Sequence, residues 1–365
     1  MTEIVEVSGN RNLGRIMSII SFPALLAPIL GPVVGGIIVS TLSWRWIFYV
    51  NIPITILAFI LAVRFVPGDK IDGETKSLDV IGMLLLSPAL AIFIYGIAQI
   101  SIYGGLRSSS VYIPLTIGSA LLIAFILYAL NTKRETILNL RLFSSTNFLV
   151  SNILLFLSGI ITNGAMFILP LFYQDVRKQS VLFAGLWLIP QGIGMLLTRS
   201  WAGRVADRDG PRTIMLFSLA VTATGTLPFA FSSAASSPVL LAATLLVRGV
   251  GMGGIFIVAM SSAYTGLKRE DVPHASSATR IFQNIGGAFG SAILSTVLQR
   301  RMANHASDPH VVADAFNVAF MWMTAFAIVA AIPALFLPMY ERTPKANRRE
   351  HRSSNDQDRD VDQRG

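Results

Sequence analysis

The chain has 365 residues, of which 53% are hydrophobic and 13% charged, with a net charge of +9 and a mean hydropathy of +0.61. So apolar a composition excludes a soluble globular domain and places the protein among polytopic membrane proteins. The lack of cysteine excludes disulfides, thiolate metal sites and cysteine nucleophiles, and the basic residues gather in short loops and at the C-terminus, a pattern of membrane topology and not of nucleic-acid binding.

After a polar leader (1–16), hydropathy predicts ten spans at about 17–42, 46–66, 78–100, 111–130, 148–173, 182–201, 213–231, 239–264, 275–298 and 313–339. The first carries no charge between Arg15 and Arg45, longer than the 18 or so residues needed to cross the hydrocarbon core. Within it Ala27, Gly31 and Gly35 recur at a spacing of four and leave a groove on one helix face. Lipid offers no hydrophobic drive for helix association, so a small-residue stripe is what close van der Waals packing requires. Pro28 and Pro32 each remove a helix hydrogen bond and predict a kink.

These residues also carry a resemblance. Gly31-Pro32-Val33-Val34-Gly35-Gly36, followed by Trp44-Arg45-Trp46-Ile47-Phe48 and Asn51-Ile52-Pro53, resembles the antiporter motif of the major facilitator superfamily, in its fourteen-span drug/proton antiporter branch of the EmrB/QacA type. Three later stretches are similar to the same family. Gly203-Arg204-Val205-Ala206-Asp207-Arg208-Asp209-Gly210-Pro211-Arg212 resembles its loop motif, Gly185 to Gly194 its eighth-helix pattern, and Arg280-Ile281-Phe282-Gln283-Asn284-Ile285-Gly286-Gly287 its R-x-x-Q-x-x-G-G block.

The resemblance implies an all-α polytopic membrane protein of about ten helices with a major facilitator fold whose N-terminal half is incomplete. It places 17–66 as a two-span remnant of that half, 78–130 as the extra central pair, 148–339 as the six-helix C-terminal half and 340–365 as a cytoplasmic tail. The four helices that precede the antiporter helix in the family are then missing. Glu341 to Gly365 mixes seven basic with six acidic residues and reads as disordered. Loops after even-numbered spans hold 12 Lys and Arg against 6 after odd-numbered ones, so both termini are expected in the cytoplasm of a plasma (inner) membrane.

Arg248 is the most informative single residue. It lies ten positions beyond Pro238, and ten residues at about 1.5 Å each reach about 15 Å, half the core thickness. An ionised side chain at that depth costs at least about 2.5–3.5 kcal/mol unless it faces a cavity or finds partners. Arg248 is therefore a substrate-cavity candidate, against the alternative that the span is set differently and Arg248 snorkels to an interface. Gly249 to Gly254 spells G-x-G-x-x-G, but a dinucleotide fingerprint needs a strand and an open phosphate site. Inside an apolar span it reads as close helix packing.

Asn163, Gln191, Gln283, Asn284 and Trp187 are the further candidates for a substrate cavity, against the alternative that each simply bonds or packs on a neighbouring helix. In the loop motif Gly210-Pro211 predicts a tight turn, and Asp207 is spaced to pair with Arg204, Arg208 or Arg212. The resemblance makes Gly203, Asp207, Arg208, Gly210 and Arg212 a cytoplasmic gate, against an ordinary basic loop. None of the 20 acidic residues lies deep in a span, and the four histidines fall in loops or the tail.

The expectation is a transporter and not an enzyme, without a metal or cofactor, which exports drugs or other small lipophilic compounds at the expense of the proton gradient. The alternative is a truncated or split fragment, inert alone or working with a companion chain. Expected partners are the lipid bilayer, a small-molecule substrate and a companion chain or periplasmic adaptor, with no nucleic acid.

Overall fold

The computed structural model describes residues 31, 33–65, 79–103, 107–132, 136, 138–198, 210–268, 271–303 and 308–338. Among them all regular structure is helical and no strand occurs. The helices are α1 (33–41), α2 (Trp46–Phe65), α3 (Val80–Tyr103), α4 (Ser109–Asn131), α5 (Thr146–Leu171), α6 (Val181–Thr198), α7 (Pro211–Thr226), α8 (Pro238–Tyr264), α9 (Val272–Met302) and α10 (Pro309–Val329). Nine of these, α2 to α10, are long and apolar enough to cross a membrane among the described residues. The leader, most of the first expected span and the tail lie outside them.

Local chemistry sets the helix starts. Pro211, Pro238 and Pro309 each occupy the first turn, where a missing N–H costs nothing. Ser180 caps α6 by accepting from the Phe183 N–H, and Asp308 accepts from the His310 N–H ahead of α10. Gly210 precedes α7 at φ 88°, a left-handed conformation that side chains disfavour. Between α7 and α8 the chain tightens into a 3-10 turn at Leu227–Phe231 and re-enters helix at Pro238. Hydroxyls inside the spans bond to their own helix, as Thr222 does to Ser218 O and Thr324 to Phe320 O, which satisfies them without water.

Helix contacts are made where glycine removes the side chain. On α9, a Cβ at Gly286 would collide with the backbone of Phe156 on α5, and one at Gly290 would fall 2.6 Å from Ile160 O. On α8 the glycines alternate between two neighbours. Gly249 and Gly253 meet Gln191 and Met195 of α6, while Gly251 and Gly254 meet Thr222 and Ser218 of α7. The G-x-G-x-x-G run is therefore what sandwiches α8 between α6 and α7 at backbone distance.

Three buried apolar clusters complete the core. One joins the ends of α5 and α9 to the starts of α8 and α10, a second joins α5, α7, α8 and α10, and a third ties α3 and α4 to the starts of α5 and α9. Outside them, large apolar side chains such as Phe59, Phe65, Leu127, Phe231 and Phe336 are more than half exposed, an arrangement suited to lipid and not to water. None of the residues of α2 is buried.

Candidate functional site

Arg248 is only 1% exposed, and it sits where four helices meet. Its Nε donates to Thr226 Oγ1 at the end of α7 (3.1 Å), its Nη1 to Gln191 Oε1 on α6, and its Nη2 to the backbone carbonyl of Ile161 on α5 (3.1 Å). All three acceptors are neutral. A buried guanidinium without a carboxylate partner persists only where its N–H groups are well satisfied, and these oxygens supply that. Thr226 donates its own proton to Thr222 O (2.7 Å), which turns its oxygen into an acceptor for Arg248.

Glycine makes this convergence possible. A Cβ at Gly225 would fall 2.7 Å from Arg248 Cα, and one at Gly249 would fall 2.8 Å from the Gln191 carbonyl carbon. With ordinary side chains the helices would stand too far apart for one guanidinium to reach three of them.

The other candidates separate into groups. Asn163 and Gln283 lie half-buried at the seam of α5 and α9, where Asn163 Nδ2 donates to Gly159 O of its own helix (3.3 Å) and a Cβ at Gly159 would meet Gln283 O. Asn284 is exposed, as is Arg280. Trp187 on α6 stacks flat on Tyr173, with ring centroids 5.9 Å apart and 5° between planes. The structure thus joins Gln191 to Arg248, places Asn163 beside α9, leaves Asn284 exposed, and stacks Trp187 on Tyr173.

A Cβ at Gly31, ahead of α1, or at Gly35 within it would meet nothing within 4 Å among the described residues, whereas one at Gly36 would fall 2.9 Å from Leu182 Cα of α6. Arg212 is half-buried in the first turn of α7 behind Gly210. Ala27, Pro32, Gly203, Asp207 and Arg208 lie outside the described residues.

Sequence reasoning missed Thr226 and the Ile161 carbonyl as partners of Arg248. A threonine in an apolar span most often bonds its own helix, and a backbone carbonyl carries no sequence signal, so neither was legible. No group of three or more His, Cys, Asp or Glu side chains that could hold a metal occurs among the described residues.

The family model described as "Major Facilitator Superfamily" matches residues 1–291 and 151–359. The chain belongs to the major facilitator superfamily. Among its relatives is the multidrug resistance protein B homolog of Mycobacterium tuberculosis (strain ATCC 25618 / H37Rv), 30% identical over 373 residues that cover 92% of this chain and 69% of that protein. The lincomycin resistance protein LmrB of Bacillus subtilis (strain 168) is 24% identical, covering 92% and 71% respectively. The probable multidrug resistance protein EmrY of Escherichia coli (strain K12) is 26% identical, covering 82% and 59%. The chain therefore spans roughly three fifths to seven tenths of the length of these relatives. As a member of this superfamily it is a multi-pass membrane transporter of small molecules, with the lipid bilayer as its surroundings.

Proposed function

We propose that this major facilitator superfamily chain serves the export of drugs or other small lipophilic compounds by alternating access, with the proton gradient as energy source and both termini in the cytoplasm. The observation that carries the reading is its 30% identity, over 92% of its length, to a multidrug resistance protein B homolog. In this reading α5 to α10 form the C-terminal half, α3 and α4 the central pair, and α1 and α2 belong to the N-terminal half. Parallel halves of this kind hold substrate between them near mid-membrane. Asn163, Gln283 and Asn284 are the polar side chains assigned to that cavity. Arg248, whose guanidinium donates to Thr226, Gln191 and Ile161, is assigned together with Gln191 to holding the half together. Gly203, Asp207, Arg208, Gly210 and Arg212 are assigned to the cytoplasmic gate.

The test is accumulation of fluorescent lipophilic compounds in cells that lack their own efflux pumps. Cells expressing the protein should hold less compound, and a protonophore should erase the difference. Unchanged accumulation of every compound across a broad panel overturns the reading.

A second reading is favoured by α1 and α2. No residue of α2 is buried among the described residues, and on the small-residue face a Cβ at Gly31 or Gly35 would meet nothing within 4 Å among them. Such a face is suited to a closely packed helix, so we infer that further helices, from the same gene product or from a companion chain, cover it. Mass spectrometry of protein cross-linked in native membranes tests this. Cross-links from α1 and α2 to lipid alone would count against it.

A further inference from the structure

Where α5 and α9 start and α8 ends, the bundle is closed over by the segment that leads in from α4. Leu140–Ser144 is a 3-10 turn, and Asn139 ahead of it accepts from the Arg141 N–H (3.1 Å). Arg141 and Ser144 are exposed while Leu138 and Leu142 are buried, so the segment turns one apolar edge inward. Phe143 stands edge-on to Phe148 of α5 (5.0 Å) and lies tilted against Phe282 of α9 (5.6 Å). The same buried cluster takes in Ala263 of α8, Ala275 and Ala278 of α9, and Leu86 and Phe125 of α3 and α4. One short segment thus rests on the ends of three helices and on the helix pair before it.

A polar tie adds to these contacts. Asn139 Nδ2 donates to Asp271 Oδ1 (3.1 Å), 132 positions later in the chain. Asp271 stands at the N-cap position of α9, where a carboxylate ordinarily accepts from its own helix, yet it makes no such bond. It holds the segment instead.

Beneath the segment, the seam of α5 and α8 is polar and shut in. Asn147 Nδ2 donates to the Ser262 carbonyl (2.8 Å). Asn147 Oδ1, Ser151 Oγ, Asn152 Oδ1 and Ser262 Oγ are buried with no hydrogen-bond partner among the described residues, and the one other such atom, the Tyr173 hydroxyl, lies at the far end of α5. Buried polar groups are ordinarily paired, and each one left unpaired is costly. Four at one end weigh against the shut arrangement, and water reaching the seam relieves them.

The closed form is therefore a balance. The apolar edge and the Asn139–Asp271 bond favour it, and the unpartnered polar atoms oppose it. Elements that move are drawn from segments held by few contacts. We propose that residues 138–145 are a strap that closes this end of the α5–α8 seam, and that lifting it lets water in to Asn147 and Ser262. The strap concerns a motion of this chain and not a substrate, so it stands or falls independently of the export reading.

The chain has no cysteine, so one introduced thiol reports on the seam. The Ser262 hydroxyl has no partner among the described residues, and its replacement removes no bond. The experiment labels the full chain carrying Ser262→Cys, in dodecyl maltoside, with a charged, water-soluble maleimide and follows the rate by intact mass. Labelling should be slow in the otherwise unaltered chain. Asp271→Ala, which removes the tie, should raise the rate roughly tenfold, the scale of one hydrogen bond to a charged group. Asp271→Asn keeps an oxygen in the same place and should raise it only about threefold, since a neutral acceptor bonds about half as strongly. Phe143→Ala, which removes the ring contacts, should act as Asp271→Ala does. Ser151→Cys, one turn deeper than Asn147, lies within reach of a water but not of a maleimide and should stay silent in every background. Equal rates for Ser262→Cys with and without the tie overturn the proposal. So does reactivity of Ser151→Cys rising in step with Ser262→Cys, which marks loosening of the whole bundle and not the lifting of a strap. If Asp271→Ala does not fold, Phe143→Ala decides by the same two criteria.

Discussion

The guanidinium of Arg248 donates to the backbone carbonyl of Ile161, 87 positions earlier in the chain, at 3.1 Å. A carbonyl within a helix already accepts from its own ladder, so this bond uses the second lone pair and places the arginine between α5 and α8 without disturbing either helix. The same head reaches α6 and α7, so one side chain fastens four helices.

Replacing Arg248 with methionine keeps most of the volume and removes all three bonds. Interhelical hydrogen bonds in membranes contribute about 0.6 kcal/mol on average and up to about 1.7 kcal/mol, so the expected loss is roughly 2–5 kcal/mol. Arg248→Lys, with a compact ammonium that cannot reach in three directions, should fall between. Thermal unfolding in detergent, followed by circular dichroism, gives the order wild type, lysine, methionine. A methionine variant as stable as wild type would remove Arg248 from this role.

Gly36 and Gly35 are neighbours with opposite expectations. A Cβ at Gly36 meets Leu182 backbone at 2.9 Å, while one at Gly35 meets nothing within 4 Å among the described residues. Gly36→Leu should therefore loosen α1 from α6 and lower export, and Gly35→Ala should be neutral in the chain as it stands. If Gly35→Ala lowers export or cross-linking in native membranes, a further helix lies on that face.

Because the chain has no cysteine, single introduced thiols report on their surroundings without background. Asn284→Cys, exposed on α9, should react with a charged, water-soluble maleimide if this position lines an aqueous path. Ser151→Cys, fully buried on α5, should not react until the protein is unfolded. A silent Asn284→Cys would show that its exposure is to lipid and would remove it from the substrate cavity.

The ion pair between Arg301 and Asp314 joins α9 to α10 at 3.5 Å, but its side chains are 55% and 64% exposed. Solvent screening leaves such pairs worth about 0–1 kcal/mol. Asp314→Asn should shift the thermal transition by no more than a degree or two, and high salt should have no larger effect on wild type.

How much of this was legible in the sequence depended on range. Nine of the ten expected spans were, among the described residues, because a run of apolar residues is a local signal, as are the prolines that open α7, α8 and α10. The meaning of Gly249 to Gly254 was half legible. Their spacing marked close packing, but that Gly249 faces α6 and Gly251 faces α7 depends on where those helices lie. That Arg248 needs neighbours followed from its place in an apolar span, yet which ones did not, since Thr226 and Ile161 carry no mark of their role. Asp175 was visible only as a carboxylate at a span end. The pocket it lines needs α9 and α10 beside α5, and no pattern along one helix reports that.

The two-sided glycine run of α8 also sets how force can travel. Where side chains interdigitate, helices can slide by exchanging rotamers; where main chain rests on main chain, a small displacement drives carbonyl against carbonyl. The slab of α6, α7 and α8 therefore transmits a push at one rim to the other with little give. A rocking motion would pivot it like a stiff paddle, and whatever slack the cycle needs must come from the seams that side chains fill.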